Sequence, residues 1–350
     1  MDFWSIDKYN LRLKFIMLNI KIPEKEHGTR LDRCVRRLLG RINQSLLEKF
    51  LRSGMVLLDG KKAKSSTKVS YGQELNYSQK ISFEESFQVK KISEYNEKYY
   101  KNLFKKIFIK ETSEYIAINK PSGLAVQGGS KQKFHVDDML KCISTDDNSL
   151  KLVHRIDKDT SGLLLLAKEN KVAKKFTSFF KDRKIIKTYL AIVSPCPTDD
   201  RGTIDLPLSK SFTKDYQRMS VDQNMGKRAI SEYKVLDKVG SRVALVALFP
   251  KTGRTHQLRV HLEYINAPIV GDNKYRGLSE VFMSSHNLPE HKKLSQIKWI
   301  PNNIKNLQLH AYSIRIPGSE TITAEVSENF KQNLKFLGLK LPKKLHDIFI

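Results

Sequence analysis

A two-domain α+β protein is what this sequence predicts, and three observations carry it. The chain has 350 residues, more than one core usually spans. Apolar residues follow helix spacing and then strand spacing over 28–77, and strand-patterned runs resume after residue 104. Between these regions, 78–103 is polar and lysine-rich without an apolar period, and reads as a linker.

Hydrophobic residues make up 40% of the chain, enough for a packed core. Lys+Arg number 63 against 37 Asp+Glu, a net charge of +26. That balance points to a polyanion partner, RNA or DNA before membrane, with a lysine-rich proteome as the plainer alternative. Cys34, Cys142 and Cys196 fit no zinc spacing, and the nine histidines include no His-Glu-x-x-His pair, so no metal is expected. Arg12 and Lys14 interrupt the first apolar stretch, which reads as neither a signal peptide nor a membrane span. The expectation is a cytoplasmic monomer without a cofactor.

In order, residues 1–27 read as an N-terminal extension and first strand. Leu31, Cys34, Val35, Leu38 and Leu39 fall at helix spacing, while Arg33, Arg37 and Arg41 recur on another face beside Arg30. A second helix carries Leu47, Phe50 and Leu51 and stops at Gly54. Met55–Leu58, the turn Asp59-Gly60 and Lys61–Ala63 read as a hairpin, closed by a strand over 72–77. From Arg30 to Lys64 there are ten Lys/Arg against three acids. This is either a nucleic-acid face or a solvated helix. Tyr115–Val126 reads as strand, turn, strand, with Pro121 and Gly123 shaping the turn. Val172, Phe176, Phe179 and Phe180 predict a helix between Asn170 and Lys187. Strands follow over 187–193 and 243–248. Leu258, Leu262 and Ile265 place a helix just after Gly253, whose start suits an anion. Residues 278–305 read as a surface loop, 307–312 as a last core strand, and 331–350 as a helical tail.

The most informative stretch is His154-Arg155-Ile156-Asp157 through Thr160-Ser161-Gly162 into Leu163–Leu166. Four leucines bounded by Gly162 and Ala167 read as a strand buried on both faces. A carboxylate at its mouth is costly unless paired or used. Asp157 is therefore either a structural partner of an arginine or a working carboxylate, and the residues alone leave both open. His-Arg-x-Asp also occurs in protein-kinase catalytic loops, but the phosphate loop and Asp-Phe-Gly that those require are absent.

The same stretch resembles the signature of the RluA family of RNA pseudouridine synthases. Lys120-Pro121-Ser122-Gly123, Lys187-Thr188-Tyr189 and Gly253-Arg254-Thr255-His256-Gln257-Leu258-Arg259 are similar to its other motifs. Gln127-Gly128-Gly129-Ser130 resembles the subgroup acting on large-subunit (23S) ribosomal RNA. Over 28–77, Arg-Leu-Asp, Asp-Gly-Lys and Gly-Gln-Glu resemble an S4 (αL-type) RNA-binding domain. The resemblance implies a mixed, largely antiparallel catalytic domain over 104–330. It implies Asp157 as nucleophile, Arg259 as its ion-pair partner and Tyr189 against the base. Arg155 would take the place of a flipped uridine. Arg254 and His256 would contact RNA or pack, and Arg30, Arg33, Arg37 and Arg41 would form the S4 contact face. The expected partner is 23S ribosomal RNA, free or in a pre-ribosomal particle. Rival readings are a transfer-RNA enzyme of the same family and a non-catalytic ribosome-assembly factor. A DNA-binding regulator finds no helix-turn-helix in this chain.

Overall fold

In the computed structural model the chain divides into two units, Met1–Ser93 and Glu94–Ile350. The structure describes residues 16–40, 42–81, 94–128, 134–144, 150–212, 217–275 and 304–342. Arg41, Gly129-Ser130, most of the expected 278–305 loop and the end of the tail lie outside these residues.

The first unit holds β1 (Met17–Lys21), α1 (Leu31–Leu38), α2 (Gln44–Ser53), β2 (Val56–Leu58) and β3 (Glu74–Ser78). Leu31, Cys34 and Val35 turn inward as their spacing predicts, onto Leu47, Leu51 and Leu75. Asn43 caps α2 by accepting the Ser45 N–H at 2.8 Å, and Gly54 ends it with φ 80°. The antiparallel sheet runs β1-β3-β2. Asp59 and Gly60 both have positive φ, the geometry of a hairpin turn. Past a single bridge from Leu58 to Lys61, however, β2 pairs with β3 rather than with 61–63. The reason is twofold. Asp59 accepts from Glu74 N and Gln73 Nε2, and only β3 supplies an apolar partner row, through Leu75.

The second unit contains α3 (Glu94–Ile107), β4 (Phe108–Glu111), β5 (Tyr115–Lys120), α4 (Val136–Ile143), β6 (Lys151–Leu152) and β7 (Ser161–Ala167). Next come α5 (Asn170–Lys181), β8 (Ile186–Val193), β9 (Arg201–Asp205), β10 (Leu208–Phe212) and β11 (Gln217–Val221). Then follow β12 (Ile230–Val239), β13 (Val243–Pro250), α6 (Gln257–Tyr264), β14 (Leu309–Arg315), β15 (Thr321–Thr323) and α7 (Glu328–Phe336). One sheet runs β4-β5-β7-β14-β8-β13-β12-β9, with β6 beside β7 and β15 beside β14, while β10 and β11 form a separate ribbon. Every pairing is antiparallel except β7 with β14.

Three boundaries differ from the sequence reading. Residues 94–103, read as linker, begin α3. That helix carries Tyr100, Leu103, Phe104 and Ile107 at helix spacing, with Tyr100 and Ile107 buried, and a boundary placed at residue 104 cuts this row in two. Residues 331–336 are helical as expected, but the helix starts earlier, at Glu328. They continue α7, whose Phe330 and Leu334 pack with Leu245 of the central sheet. Finally, α6 starts at Gln257 and not just after Gly253, because the chain first makes a left-handed turn at His256 (φ 53°, ψ 20°).

Candidate active site

The leucine run does what its composition demands. Leu163–Leu166 are fully buried, with Leu163 and Leu165 in a core with Phe176. Gly162 (φ 112°) lets β7 meet β14, since a Cβ there would lie 2.3 Å from the Ala311 carbonyl oxygen. The loop carrying Asp157 enters the sheet at this parallel joint. His154 accepts the Leu165 N–H on Nε2 at 2.9 Å and stacks on Phe180 at 4.4 Å. Burial, with Lys187 nearby, pushes its pKa down to about 3, so it is a neutral support for the loop.

The Lys120–Gly123 turn is scaffold, as its Pro and Gly predict. The fully buried Lys120 ammonium donates to the carbonyls of Pro121, Leu124 and Lys158 at 2.9, 2.8 and 3.0 Å. Gly123 N also donates to Lys158 O, and Ser122 Oγ donates to Asp159 O at 2.7 Å. Burial lowers the Lys120 pKa to about 7. The residues just after Asp157 are thus fixed from beneath by hydrogen bonds to their own backbone.

Asp157 is partly exposed, and two groups from α6 and its entry turn face one of its oxygens. Arg259 Nη1 is 3.7 Å and His256 Nε2 3.8 Å from Oδ2. The tighter partner of Arg259 is a different carboxylate, Asp272, which accepts from Nε at 2.7 Å and from Nη2 at 2.8 Å. Both members are buried. Burial alone would lower the Arg259 pKa, but the hydrogen bonds and charge of Asp272, aided by Asp157, raise it above its ordinary value. Tyr275 lies under this pair. Its ring faces the Arg259 and Arg218 guanidinium groups at 5.0 and 5.2 Å. Its hydroxyl accepts the Met219 N–H at 3.0 Å and meets His256 Nδ1 at 2.8 Å.

A cavity of about 480 Å³ opens over Asp157. Asp157, Tyr189, Arg259 and Arg155 line it, and so do Arg254 and His256, which the sequence left between RNA contact and packing. Arg30, Arg33 and Arg37 belong to the first unit, where all three are exposed. Arg30 pairs with Asp32 at 2.7 Å and Arg37 with the buried Glu26 at 2.9 Å. Burial, and then the charge of Asp157, push the Tyr189 pKa well up, so its phenol keeps its proton. Lys187, two residues before it on β8, points to the same cavity, and burial lowers its pKa to about 8. Gln257 braces the opposite wall. It accepts from Thr252 Oγ1 and Arg254 N and donates to Ile230 O and Ser231 Oγ. The arrangement offers one carboxylate, one protonated phenol and a ring of cations suited to a polyanion.

Sequence reasoning gave no role to Lys187, though it heads a motif, nor to Asp272 and Tyr275, whose segment read as a structural strand and turn beside the site. Asp272 carried a usable signal. It follows the apolar run Ile269-Val270, so the argument that a carboxylate beside a core strand must be paired applied to it as it did to Asp157. Among the described residues no group of three or more His, Cys, Asp or Glu is placed to hold a metal ion. Nor is any helix there long and apolar enough to cross a membrane.

Comparison with known proteins places the family over the same part of the chain. The RNA pseudouridylate synthase family model matches residues 114–264, which hold Asp157, Tyr189 and Arg259. "Ribosomal large subunit pseudouridine synthase C" of Rickettsia bellii (strain RML369-C) is 38% identical over 249 residues, 71% of this chain and 83% of its own. The protein of that name from Buchnera aphidicola subsp. Schizaphis graminum is 32% identical over 324 residues, 91% of this chain and 96% of its own. Among solved structures, "Human RNA Pseudouridylate Synthase Domain Containing 4" superposes with a TM-score of 0.57 at 26% identity, covering 71% of this chain and 99% of the human one.

Proposed function

The chain belongs to the RNA pseudouridylate synthase family, and on that premise we propose that it isomerises uridines of large-subunit ribosomal RNA with Asp157 as nucleophile. The observation that carries the reading is the cavity in which Asp157, held next to Arg259, shares walls with Tyr189. The relatives' names supply the substrate class.

The chemistry fits the groups present. In the target uridine the bond from C1′ to N1 breaks, the base turns, and C5 bonds to C1′. One proton leaves C5 for water and N1 regains one, so atoms balance without a co-reactant. Asp157 acts once per cycle as the carboxylate that loosens the C1′–N1 bond. The uridine must leave its stack to reach it, and Arg155, exposed at the rim, fills the gap. Tyr189 walls the detached base with its ring and keeps a hydroxyl proton to donate.

The first unit serves as an S4 RNA-binding domain over 28–77, with α1 presenting Arg33 and Arg37 to RNA. It raises affinity through local concentration and adds no chemistry. Weaker RNA binding with retained isomerisation after removal of this unit is the expected result, and unchanged binding would sink that role.

The main test is pseudouridine mapping of ribosomal RNA from wild-type and Asp157→Asn cells. Loss at specific large-subunit positions is expected. Loss only in a transfer RNA would retain the chemistry and overturn the substrate. No change in any RNA, with RNA binding intact, would transfer the reading to an assembly factor.

A further inference from the structure

His256 occupies a position that its place in the motif does not explain. It is a non-glycine residue in the left-handed region, at φ 53° and ψ 20°, a backbone uncommon outside glycine that histidine tolerates better than most. Its side-chain partner is visible. Tyr275 is fully buried, and its hydroxyl oxygen already accepts the Met219 N–H at 3.0 Å. The hydroxyl hydrogen is therefore free to go to His256 Nδ1, 2.8 Å away. With Nδ1 accepting, a neutral imidazole carries its proton on Nε2, the nitrogen turned to Asp157. Arg259 Nη1 approaches the same oxygen, Oδ2.

We propose that His256 is a positioning residue for the nucleophile: fixed as the Nε2–H tautomer by Tyr275, it and Arg259 hold Oδ2 of Asp157 and leave Oδ1 to meet the substrate. The proposal rests on the reading of Asp157 as nucleophile. The separation of 3.8 Å is a pre-contact distance that closes to a hydrogen bond once RNA seals the cavity. A carboxylate anchored through one oxygen has one rotamer and one attacking atom, so the gain appears in the chemical step and not in RNA affinity. The chain Met219–Tyr275–His256 also ties the β10–β11 ribbon to the nucleophile's surroundings, through two hydrogen bonds that start at a β11 backbone amide and end 3.8 Å from Asp157.

The test compares His256→Gln, which keeps an N–H donor at the reach of Nε2, with His256→Asn. Asn is at ease in the left-handed turn but is too short to reach Asp157. Each full-length protein is given a large-subunit ribosomal RNA transcript carrying 5-tritiated uridine. Tritium release is followed in single turnover, and RNA affinity is measured separately. The wild type should release tritium and His256→Gln should stay within about fivefold of it. His256→Asn should fall about tenfold to hundredfold, the worth of one hydrogen bond to a charged group, with RNA affinity unchanged. Tyr275→Phe should slow the wild type yet have little effect on His256→Gln, which needs no tautomer fixed. Weaker RNA binding by His256→Asn at an unchanged single-turnover rate would overturn the proposal and make His256 an RNA contact. Equal rates for Gln and Asn would also overturn it. A folded wild type that releases no tritium from this RNA would instead defeat the functional reading beneath it.

Discussion

Replacing Asp272 with Asn is the sharpest probe of how this site is held. The carboxylate is fully buried and makes four hydrogen bonds. Oδ1 accepts from Arg259 Nη2, Lys274 N and Tyr275 N at 2.8, 2.8 and 3.0 Å, and Oδ2 accepts from Arg259 Nε at 2.7 Å. An amide of the same shape keeps the Oδ1 contacts but sets an N–H against the Arg259 Nε–H, and it removes the charge that balances a buried guanidinium. Breaking a buried pair from one side costs about 3–5 kcal/mol. Asp157, at 3.7 Å from Arg259, is near enough to recover part of this, so we expect about 3 kcal/mol. That recovery has a chemical consequence. Arg259 drawn onto Asp157 makes the carboxylate a poorer nucleophile, so kcat should fall while KM for RNA stays within a few-fold. Stability is read by hydrogen exchange of peptides from β13 and α6 in increasing urea, and kcat by tritium release. The pair Asp272→Leu with Arg259→Met should recover most of the stability and none of the activity. A loss of under about 1 kcal/mol in Asp272→Asn, or a double variant no more stable than the single one, would refute the view of Asp272 as the anchor of Arg259.

Other predictions concern pH and packing. His310 is fully buried between Ser161 Oγ and Ala324 O, and burial lowers its pKa from 6.5 to about 4. The folded form keeps it neutral where the unfolded chain takes up a proton. His310 should therefore cost the second unit about 3 kcal/mol as pH falls from 6.5 to 4, and His310→Gln should remove that share of the slope in hydrogen exchange while the share of His154 stays. Lys187, with its pKa near 8, should lose its charge well before an ordinary lysine. RNA affinity should weaken as pH rises through about 8, with the salt dependence falling by about one phosphate contact, and Lys187→Met should show neither change. Gly162→Ala should cost about 3 kcal/mol or more, because its Cβ meets the Ala311 backbone at φ 112°. Gly253→Ala has open space at the Cβ and should be tolerated, so equal yields of folded protein from the two would contradict the close β7–β14 approach.

The division between what was legible in the chain and what was not follows the range of the interactions. Local patterns carried the local facts. Four leucines flanked by Gly and Ala meant a strand covered on both faces, Gly54 meant a helix end, and Pro121 with Gly123 meant a turn. The structure has each of these. Resemblance to the motifs of a known family marked Asp157, Tyr189 and Arg259, and the residues alone left the role of Asp157 open. The α3 helix was missed because the boundary set at residue 104 split its apolar row, Tyr100, Leu103, Phe104 and Ile107, between a linker and a domain.

What the sequence by itself determined, then, was the set of elements, the basic character of the surface and the residues worth watching. Which of them touch was decided by tertiary structure. Arg259 lies thirteen residues from Asp272 and about a hundred from Asp157, and no local rule ranks those two carboxylates. The ranking arises because Asp272 is fully buried beside the guanidinium, while Asp157 stays at the cavity mouth in partial contact with water. In the same way, the proton position on His256 is set by a tyrosine nineteen residues away whose hydroxyl is already engaged by a strand backbone. Hydrogen-bond partners and desolvation depend on what the fold brings alongside, so the chemistry of a side chain was readable from sequence only as far as its identity.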